Sequence, residues 1–86
     1  MLTIYSKENC PFCTRAKALL NEKGVEYTEM RVDLLPEARQ FVLDAGHRSV
    51  PQIYKDGKLF VENGYAGLAK LNESDFQKLK ENINAN

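Results

Sequence analysis

Two cysteines separated by two residues, in the run Cys10-Pro11-Phe12-Cys13, lie where a strand pattern gives way to a helix pattern. The residues from Leu2 to Tyr5 favour a strand, and the polar cluster from Ser6 to Asn9 interrupts it. Pro11 suits the first position of a helix, because that position needs no backbone N–H donor. The sequence therefore predicts a strand, a loop and a helix, with both thiols at the start of the helix.

The first helix is followed by a second strand and a second helix. Apolar residues at helical spacing and a stop at Gly24 predict a first helix of about 13 residues. Alternating residues predict a second strand from Val25 to Asp33. Pro36 and Glu37 suit the first turn of a second helix, which is expected to end at Gly46. The apolar face predicted for this helix comprises Ala38, Phe41, Val42 and Ala45.

The next segment has the pattern of a β-hairpin. Its predicted strands run from Pro51 to Tyr54 and from Leu59 to Val61. Lys55-Asp56-Gly57-Lys58 joins them, and the Asp-Gly pair suits the left-handed conformation of a tight turn. These two strands are therefore expected to be antiparallel.

The remaining residues predict two helices. Leu68 and Leu71 indicate a short one after Asn63-Gly64. Ser74-Asp75-Phe76-Gln77 has the spacing of a capping box, which starts another helix. The tail is expected to fray from Asn82.

The order of these elements determines the fold class. A βαβα segment, then a ββ hairpin, then α predicts an α/β fold in which a four-stranded mixed sheet is flanked by helices. The length fits a single domain over residues 1–86. Both thiols then lie at the carboxyl end of the first strand, where open α/β sheets bind their ligands.

Composition limits the partners of the chain. Twelve Lys and Arg residues balance twelve Asp and Glu residues, and the absence of a net positive charge predicts no nucleic-acid partner. It has no run of about 18 apolar residues and no basic leader followed by an apolar stretch, which predicts no membrane partner and a cytoplasmic location. Nothing in the sequence demands more than a monomer.

The spacing of the cysteines indicates redox chemistry. Free N–H groups and the dipole at the helix start favour a thiolate at Cys10. Cys13 lies one turn deeper, so Cys10 is expected to attack a disulfide and Cys13 to resolve the mixed disulfide. A permanent staple is disfavoured, because closing so short a loop removes little chain entropy. Half of a zinc site, with His47 as the only histidine, and inert cysteines remain as alternatives.

The run from Lys7 to Cys13, together with Ser49-Val50-Pro51, resembles the glutaredoxin family, and the resemblance covers essentially the whole chain. It implies a thioredoxin-like fold and glutathione as reductant, with no tightly bound cofactor and no metal. It also implies that Pro51 follows a cis peptide bond and faces the disulfide. The implied substrates are protein disulfides, with ribonucleotide reductase among the candidates, and glutathione mixed disulfides.

The same resemblance assigns residues to a glutathione groove. Lys7 and Phe12 are expected to line it, and the backbone of Val50 is expected to pair with the tripeptide. The N–H groups of Tyr65 and Ala66 are candidates for binding a glutathione carboxylate. Many glutaredoxins carry two acidic residues in this region, whereas this chain has none from 63 to 68. The expected substrate-binding residues are Lys7, Phe12, Ser49, Val50, Pro51, Tyr65 and Ala66.

Other residues near the groove have two interpretations. Arg48 suits an anionic substrate and equally suits a solvated surface, and Tyr65 suits a lid over the groove or packing on the sheet. His47 is expected to cap the second helix as a cation, and Tyr5 and Phe60 to belong to the core.

The resemblance leaves the function open in three respects. The segment from Val32 to Ala38 is also similar to glutaredoxin-like donors that thioredoxin reductase reduces, which is the alternative to glutathione as electron source. An iron–sulfur carrier using Cys10 is a second rival, although Pro11 argues against it. An inactive adaptor that retains only the fold is a third.

Overall fold

The computed structural model of the chain describes residues 2–84 and forms one mixed sheet with helices on both faces. In chain order the elements are β1 (Leu2–Ser6), α1 (Pro11–Glu22), β2 (Thr28–Arg31), α2 (Pro36–Asp44), β3 (Gln52–Lys55), β4 (Lys58–Leu59), α3 (Tyr65–Ala69) and α4 (Glu73–Asn84). The strand order is β2-β1-β3-β4, with β1 and β2 parallel and the other neighbours antiparallel. The predicted α/β class and the βαβα–ββ–α order are confirmed.

Alternation along β1 separates the two faces of the sheet. Leu2, Ile4 and Ser6 are buried on one face, and Tyr5 points to the other. The first face forms the core with the inner sides of α1, α3 and α4. The buried residues of this core are Leu2, Ile4, Ala16, Leu20, Val25, Ile53, Val61, Leu68, Phe76 and Leu79.

The opposite face of the sheet carries an aromatic cluster beneath α2. Tyr5 stacks on Phe41 with ring centroids 5.0 Å apart, and Tyr54 meets both rings edge-on. Phe41 is nevertheless 38% exposed, and Ala45 is exposed, so the predicted apolar face of α2 buries only Ala38 and Val42 fully. The last turn of α2 is therefore largely exposed to solvent.

His47 is predicted to cap α2 as a cation, but in the structure its backbone closes the helix and its side chain contacts Tyr54. Its backbone N–H donates to the Val42 carbonyl oxygen, which closes the end of α2. Its ring instead lies edge-on to Tyr54, with Nε2 2.7 Å from the Tyr54 hydroxyl oxygen. Phe60, which is also expected in the core, is partly buried and packs against the core residues.

The second strand is shorter than predicted. Gly24 has a φ of 71°, and the Val25 N–H donates to the Leu20 carbonyl oxygen. This pairing belongs to the C-terminal cap of α1, so the first residues of the predicted strand complete the helix instead of joining the sheet. Pairing with β1 begins only at Thr28.

The hairpin has the predicted turn but a shorter second strand. Asp56 and Gly57 both have positive φ, 52° and 84°, as the mirror-image turn of tight hairpins requires. Strand β4 ends at Leu59, although the Phe60 N–H still donates to the Ile53 carbonyl oxygen. The chain then leaves the sheet towards α3.

The start of α4 differs from the predicted capping box. Asn72 Oδ1 accepts the Asp75 N–H, and Asp75 Oδ2 accepts the Asn72 N–H. This reciprocal pair begins the helix before the predicted box at Ser74. The expectation of a frayed tail from Asn82 falls partly on residues 85 and 86, which lie outside the described residues, and α4 extends to Asn84. None of the described helices combines the length and the hydrophobicity needed to cross a membrane.

A polar network joins α1 to the first two strands. Glu29 on β2 accepts hydrogen bonds from Lys17 Nζ at 2.8 Å and from the buried Ser6 hydroxyl at 2.5 Å. The Lys17 hydrogen bond, followed by that of Ser6, holds the pKa of Glu29 below its usual 4.5, although burial opposes this effect. The network therefore stabilises the fold above that pH, and its contribution is lost as the carboxylate becomes protonated below it.

We expect Glu29→Gln to lower the melting temperature at pH 7 by about 4 °C, because the ion pair with Lys17 is lost. The difference from the wild-type protein should shrink towards zero at an acidic pH below the lowered pKa of Glu29, where the wild-type carboxyl is also protonated. Thermal unfolding followed by circular dichroism at both pH values tests this. An equal difference at the two pH values would contradict the assigned role of the Glu29 charge.

Candidate active site

The two cysteines occupy the N-terminal end of α1. Cys10 is the N-cap, with extended backbone angles of φ −117° and ψ 98°, and Pro11 takes the first helical position. The two residues are joined as a disulfide, with their Cα atoms 5.2 Å apart. The strand–loop–helix arrangement predicted around the cysteines is present.

The environments of the two sulfurs differ. The Cys13 N–H points at Cys10 Sγ, at a distance of 3.2 Å, so a helix N–H group is aimed at the outer sulfur. The same N–H would stabilise a thiolate at Cys10 after reduction. Cys10 is 8% exposed and Cys13 only 1%. This geometry suits attack by Cys10 and resolution by Cys13.

A cis-proline loop lies opposite the disulfide. The peptide bond between Val50 and Pro51 is cis, as the resemblance implies, and Cys10 Sγ lies 3.7 Å from the Val50 carbonyl oxygen. A Cβ atom at Gly64 would overlap the Pro51 carbonyl oxygen, and Gly64 has a φ of 54°. Glycine is therefore required where the segment before α3 packs against this loop.

An open groove of about 790 Å³ runs along the cis-proline loop beside Phe12. Six of the seven predicted substrate-binding residues line it, namely Phe12, Ser49, Val50, Pro51, Tyr65 and Ala66. Lys7 does not line the groove and is exposed between β1 and the turn before Cys10. The predicted contact of Lys7 with glutathione therefore has no support from this geometry.

An aromatic pair forms one wall of the groove. The rings of Phe12 and Tyr65 lie 6.2 Å apart, and the Arg15 guanidinium lies 5.4 Å from the centre of the Phe12 ring. Phe12 is 54% exposed, whereas Tyr65 is partly buried against the core. Tyr65 thus packs against the core and also lines the groove, and its predicted role as a lid stays a prediction.

The polar groups of the groove differ in part from those expected. The Ala66 N–H donates to the Asn63 carbonyl oxygen at 3.1 Å, so this donor is already used within the chain. Arg48 and Glu62 both line the groove and are exposed. Glu62 is an acidic groove residue that the sequence did not indicate, because it precedes the segment from 63 to 68 in which many glutaredoxins carry their acidic pair.

Gln52 is a second groove residue that the sequence did not indicate. Its side chain is buried, and its Nε2 donates to the Ser49 carbonyl oxygen at 2.9 Å. This bond crosses the cis-proline and fixes the backbone on both sides of it. Its position directly after Pro51 is the only sequence signal for this role.

The metal-binding alternative needs several ligand side chains close together. Within residues 2–84, no group of three or more His, Cys, Asp or Glu side chains is placed to hold a metal ion. His47, the only histidine, is engaged with Tyr54.

Comparison with known proteins identifies the family. The glutaredoxin family model matches residues 2–60, which include the disulfide, the cis-proline and both strands of the hairpin. The chain belongs to the glutaredoxin family. The family's thiol–disulfide oxidoreductase activity therefore applies to this glutaredoxin.

Two curated relatives are similar to this glutaredoxin over different lengths. Glutaredoxin 3 of Escherichia coli is 45% identical over 56 residues, covering 64% of this chain and 68% of that protein. The glutaredoxin-like protein NrdH of Lactococcus lactis is 38% identical over 71 residues, covering 83% of this chain and 99% of that protein. The second alignment is therefore the longer of the two and spans nearly the whole of its relative.

A solved structure confirms the predicted thioredoxin-like fold. The holo form of glutaredoxin C1 from Populus tremula x tremuloides superposes with a TM-score of 0.76 over 99% of this chain and 79% of that one. The two sequences are 24% identical, so this comparison concerns the fold alone.

Proposed function

We propose that this glutaredoxin is a cytoplasmic enzyme that reduces protein disulfides and glutathione mixed disulfides, with glutathione as its reductant and no tightly bound cofactor. The observation that supports glutathione most directly is the charge of the groove. It holds the cationic side chain of Arg48 and the anionic side chain of Glu62 beside the cis-proline backbone. Glutathione is a tripeptide with two carboxylates and one ammonium group, so both charges have a counterpart.

The proposed reaction begins with the reduced dithiol. The Cys10 thiolate attacks one sulfur of the substrate disulfide, forms a mixed disulfide and releases the other substrate sulfur as a thiolate that takes up a proton. Cys13 then loses its proton and attacks Cys10 Sγ, which releases the second substrate thiol. Two electrons pass to the substrate, and the enzyme is left as the disulfide seen here.

Glutathione then restores the dithiol. A first glutathione thiolate attacks Cys10 Sγ and releases Cys13. A second attacks the glutathione sulfur of the mixed disulfide, which releases Cys10 and forms glutathione disulfide. The position of Val50 supports this step, because its carbonyl oxygen lies 3.7 Å from Cys10 Sγ. A peptide paired with the Val50 backbone would therefore lie next to the reacting sulfur.

The turnover of a small glutathione mixed disulfide, coupled to glutathione, glutathione reductase and NADPH, tests the proposal. We expect robust turnover by the wild-type protein. In Glu62→Gln the KM for glutathione should rise about fivefold while kcat stays nearly constant, because a charged partner of the bound tripeptide is lost. Glu22→Gln, an exposed glutamate outside the groove, is the matched control and should leave both constants unchanged. Absence of turnover would overturn the choice of glutathione.

The second candidate is a donor that thioredoxin reductase reduces, with ribonucleotide reductase as a candidate protein substrate. It is favoured by the alignment with the NrdH glutaredoxin-like protein, which covers 99% of that relative. NADPH oxidation by thioredoxin reductase, with a disulfide substrate and without glutathione, distinguishes the two candidates. Turnover in this assay and none with glutathione would establish the second candidate.

A further inference from the structure

The loop before Cys10 contains a backbone conformation that needs support. Residues 8 and 9 form a turn, and Asn9 has a φ of 57°. A left-handed residue of this kind is held in place by its surroundings, although asparagine tolerates the conformation better than most residues. Because Cys10 follows directly, the conformation of this turn determines where the attacking sulfur lies.

Asp33 contacts this turn from the segment between β2 and α2. Its Oδ2 accepts the Glu8 N–H at 3.2 Å, so a side chain far along the sequence holds the turn that precedes Cys10. Arg31 holds the carboxylate itself, with Nε 2.7 Å from Oδ1 and Nη2 2.5 Å from Oδ2. The Asp33 carboxylate therefore has a fixed orientation, although its side chain remains 31% exposed.

The hydrogen bond between Asp33 and Glu8 continues the pairing of β1 with β2 beyond the ends of these strands. Ser6 and Arg31 are paired at the ends of β1 and β2, and the Ser6 carbonyl oxygen accepts the Val32 N–H at 2.8 Å. The next bond between the two segments is that of Asp33 with Glu8. The Arg31 side chain holds the pKa of Asp33 well below its usual range, so the acceptor is ionised throughout the neutral range.

We propose that Asp33 is a positioning residue for thiol–disulfide exchange, which acts through the Glu8 amide to hold the turn that presents Cys10. The proposal applies to exchange with either electron source and so does not depend on glutathione. It differs from an electrostatic role. Negative charge disfavours a neighbouring thiolate, so an electrostatic effect of Asp33, which Arg31 offsets, could only slow the attack, whereas its hydrogen bond to Glu8 favours the attack.

Two variants separate these effects. Asp33→Ala removes the acceptor and the charge. Asp33→Asn removes the charge and one of the two hydrogen bonds from Arg31, but its amide oxygen can still accept the Glu8 N–H. The measured quantity is the rate at which the pre-reduced protein attacks a small disulfide at pH 7, followed by stopped flow. We expect Asp33→Ala to be about fivefold slower than wild type, the effect of one lost hydrogen bond, and Asp33→Asn to lie within about twofold of wild type.

A matched control removes an exposed ion pair elsewhere. Glu73 at the start of α4 pairs with Lys23, and Glu73→Ala should change thermal stability without changing the rate of attack. Wild-type rates in Asp33→Ala, equally slow rates in both Asp33 variants, or faster rates in both would each overturn the proposal.

Amide hydrogen exchange of the wild-type protein provides a test that does not depend on the folding of a variant. The Glu8 amide should exchange at least about fivefold more slowly than an unprotected amide of the same sequence, because it is bonded to Asp33. Exchange at the unprotected rate would show that the bond does not form in solution and would overturn the proposal.

Discussion

A Cys10→Ser variant is expected to lose at least about a thousandfold in turnover of any disulfide substrate, because the residue that attacks the disulfide is lost. A serine hydroxyl is not ionised near neutral pH and is a poor nucleophile without a general base. Cys13 cannot replace Cys10, since it is only 1% exposed and lies behind Cys10 in the first turn of α1. The coupled assay with glutathione and the assay with thioredoxin reductase should both show this loss.

The fold of this variant should remain intact, which makes the result interpretable. Cys10 is the N-cap of α1, and serine is among the residues preferred at that position. Its hydroxyl oxygen can accept the Cys13 N–H that points at Cys10 Sγ in the structure. Circular dichroism should therefore match that of the wild-type protein in its reduced state. Retained turnover in either assay would refute Cys10 as the attacking residue.

A Cys13→Ser variant should separate two classes of substrate. With a glutathione mixed disulfide we expect turnover within about threefold of wild type, because a second glutathione can release Cys10 without the help of Cys13. With a protein disulfide we expect a loss of at least about a hundredfold, because the mixed disulfide with the protein no longer has an internal thiol to resolve it. Insulin reduction, measured beside the glutathione assay, supplies the second substrate.

The buried position of Cys13 requires a control for this variant. Its side chain is fully buried, so the serine hydroxyl must find a partner or lower stability. Cys13→Ala keeps the site apolar and should give the same separation of substrates. An equal loss on both substrates in both variants would contradict the role of Cys13 as the resolving residue, and would indicate a general effect on the start of α1.

The parts of the structure that depend on local sequence could be predicted. The turn at Asp56-Gly57 has the positive φ angles that its residues favour, and Pro11 begins a helix as expected. The location of Cys10 and Cys13 at a helix start also depends on neighbouring residues alone. The cis bond before Pro51 was implied by family resemblance and had no local sequence signal apart from the proline itself.

The parts that depend on contacts between distant residues could not. The sequence predicts a strand at Val25, because alternation alone does not show that the Val25 N–H completes the cap of α1. Glu62 lines the groove next to the place where Gly64 packs against Pro51, a contact between segments that are distant in local sequence terms. The bond between Asp33 and Glu8 joins residues 25 positions apart, a relation that no sequence period encodes.

The two outer strands of the sheet are both short, and this affects how copies of the protein meet in a concentrated solution. Strand β4 comprises only Lys58 and Leu59, and β2 has four residues with Glu29 and Arg31 among them. Unpaired backbone groups at a sheet edge are templates for strand addition by another chain, and short, charged edges limit it. The protein is therefore expected to resist edge-to-edge aggregation at high protein concentration.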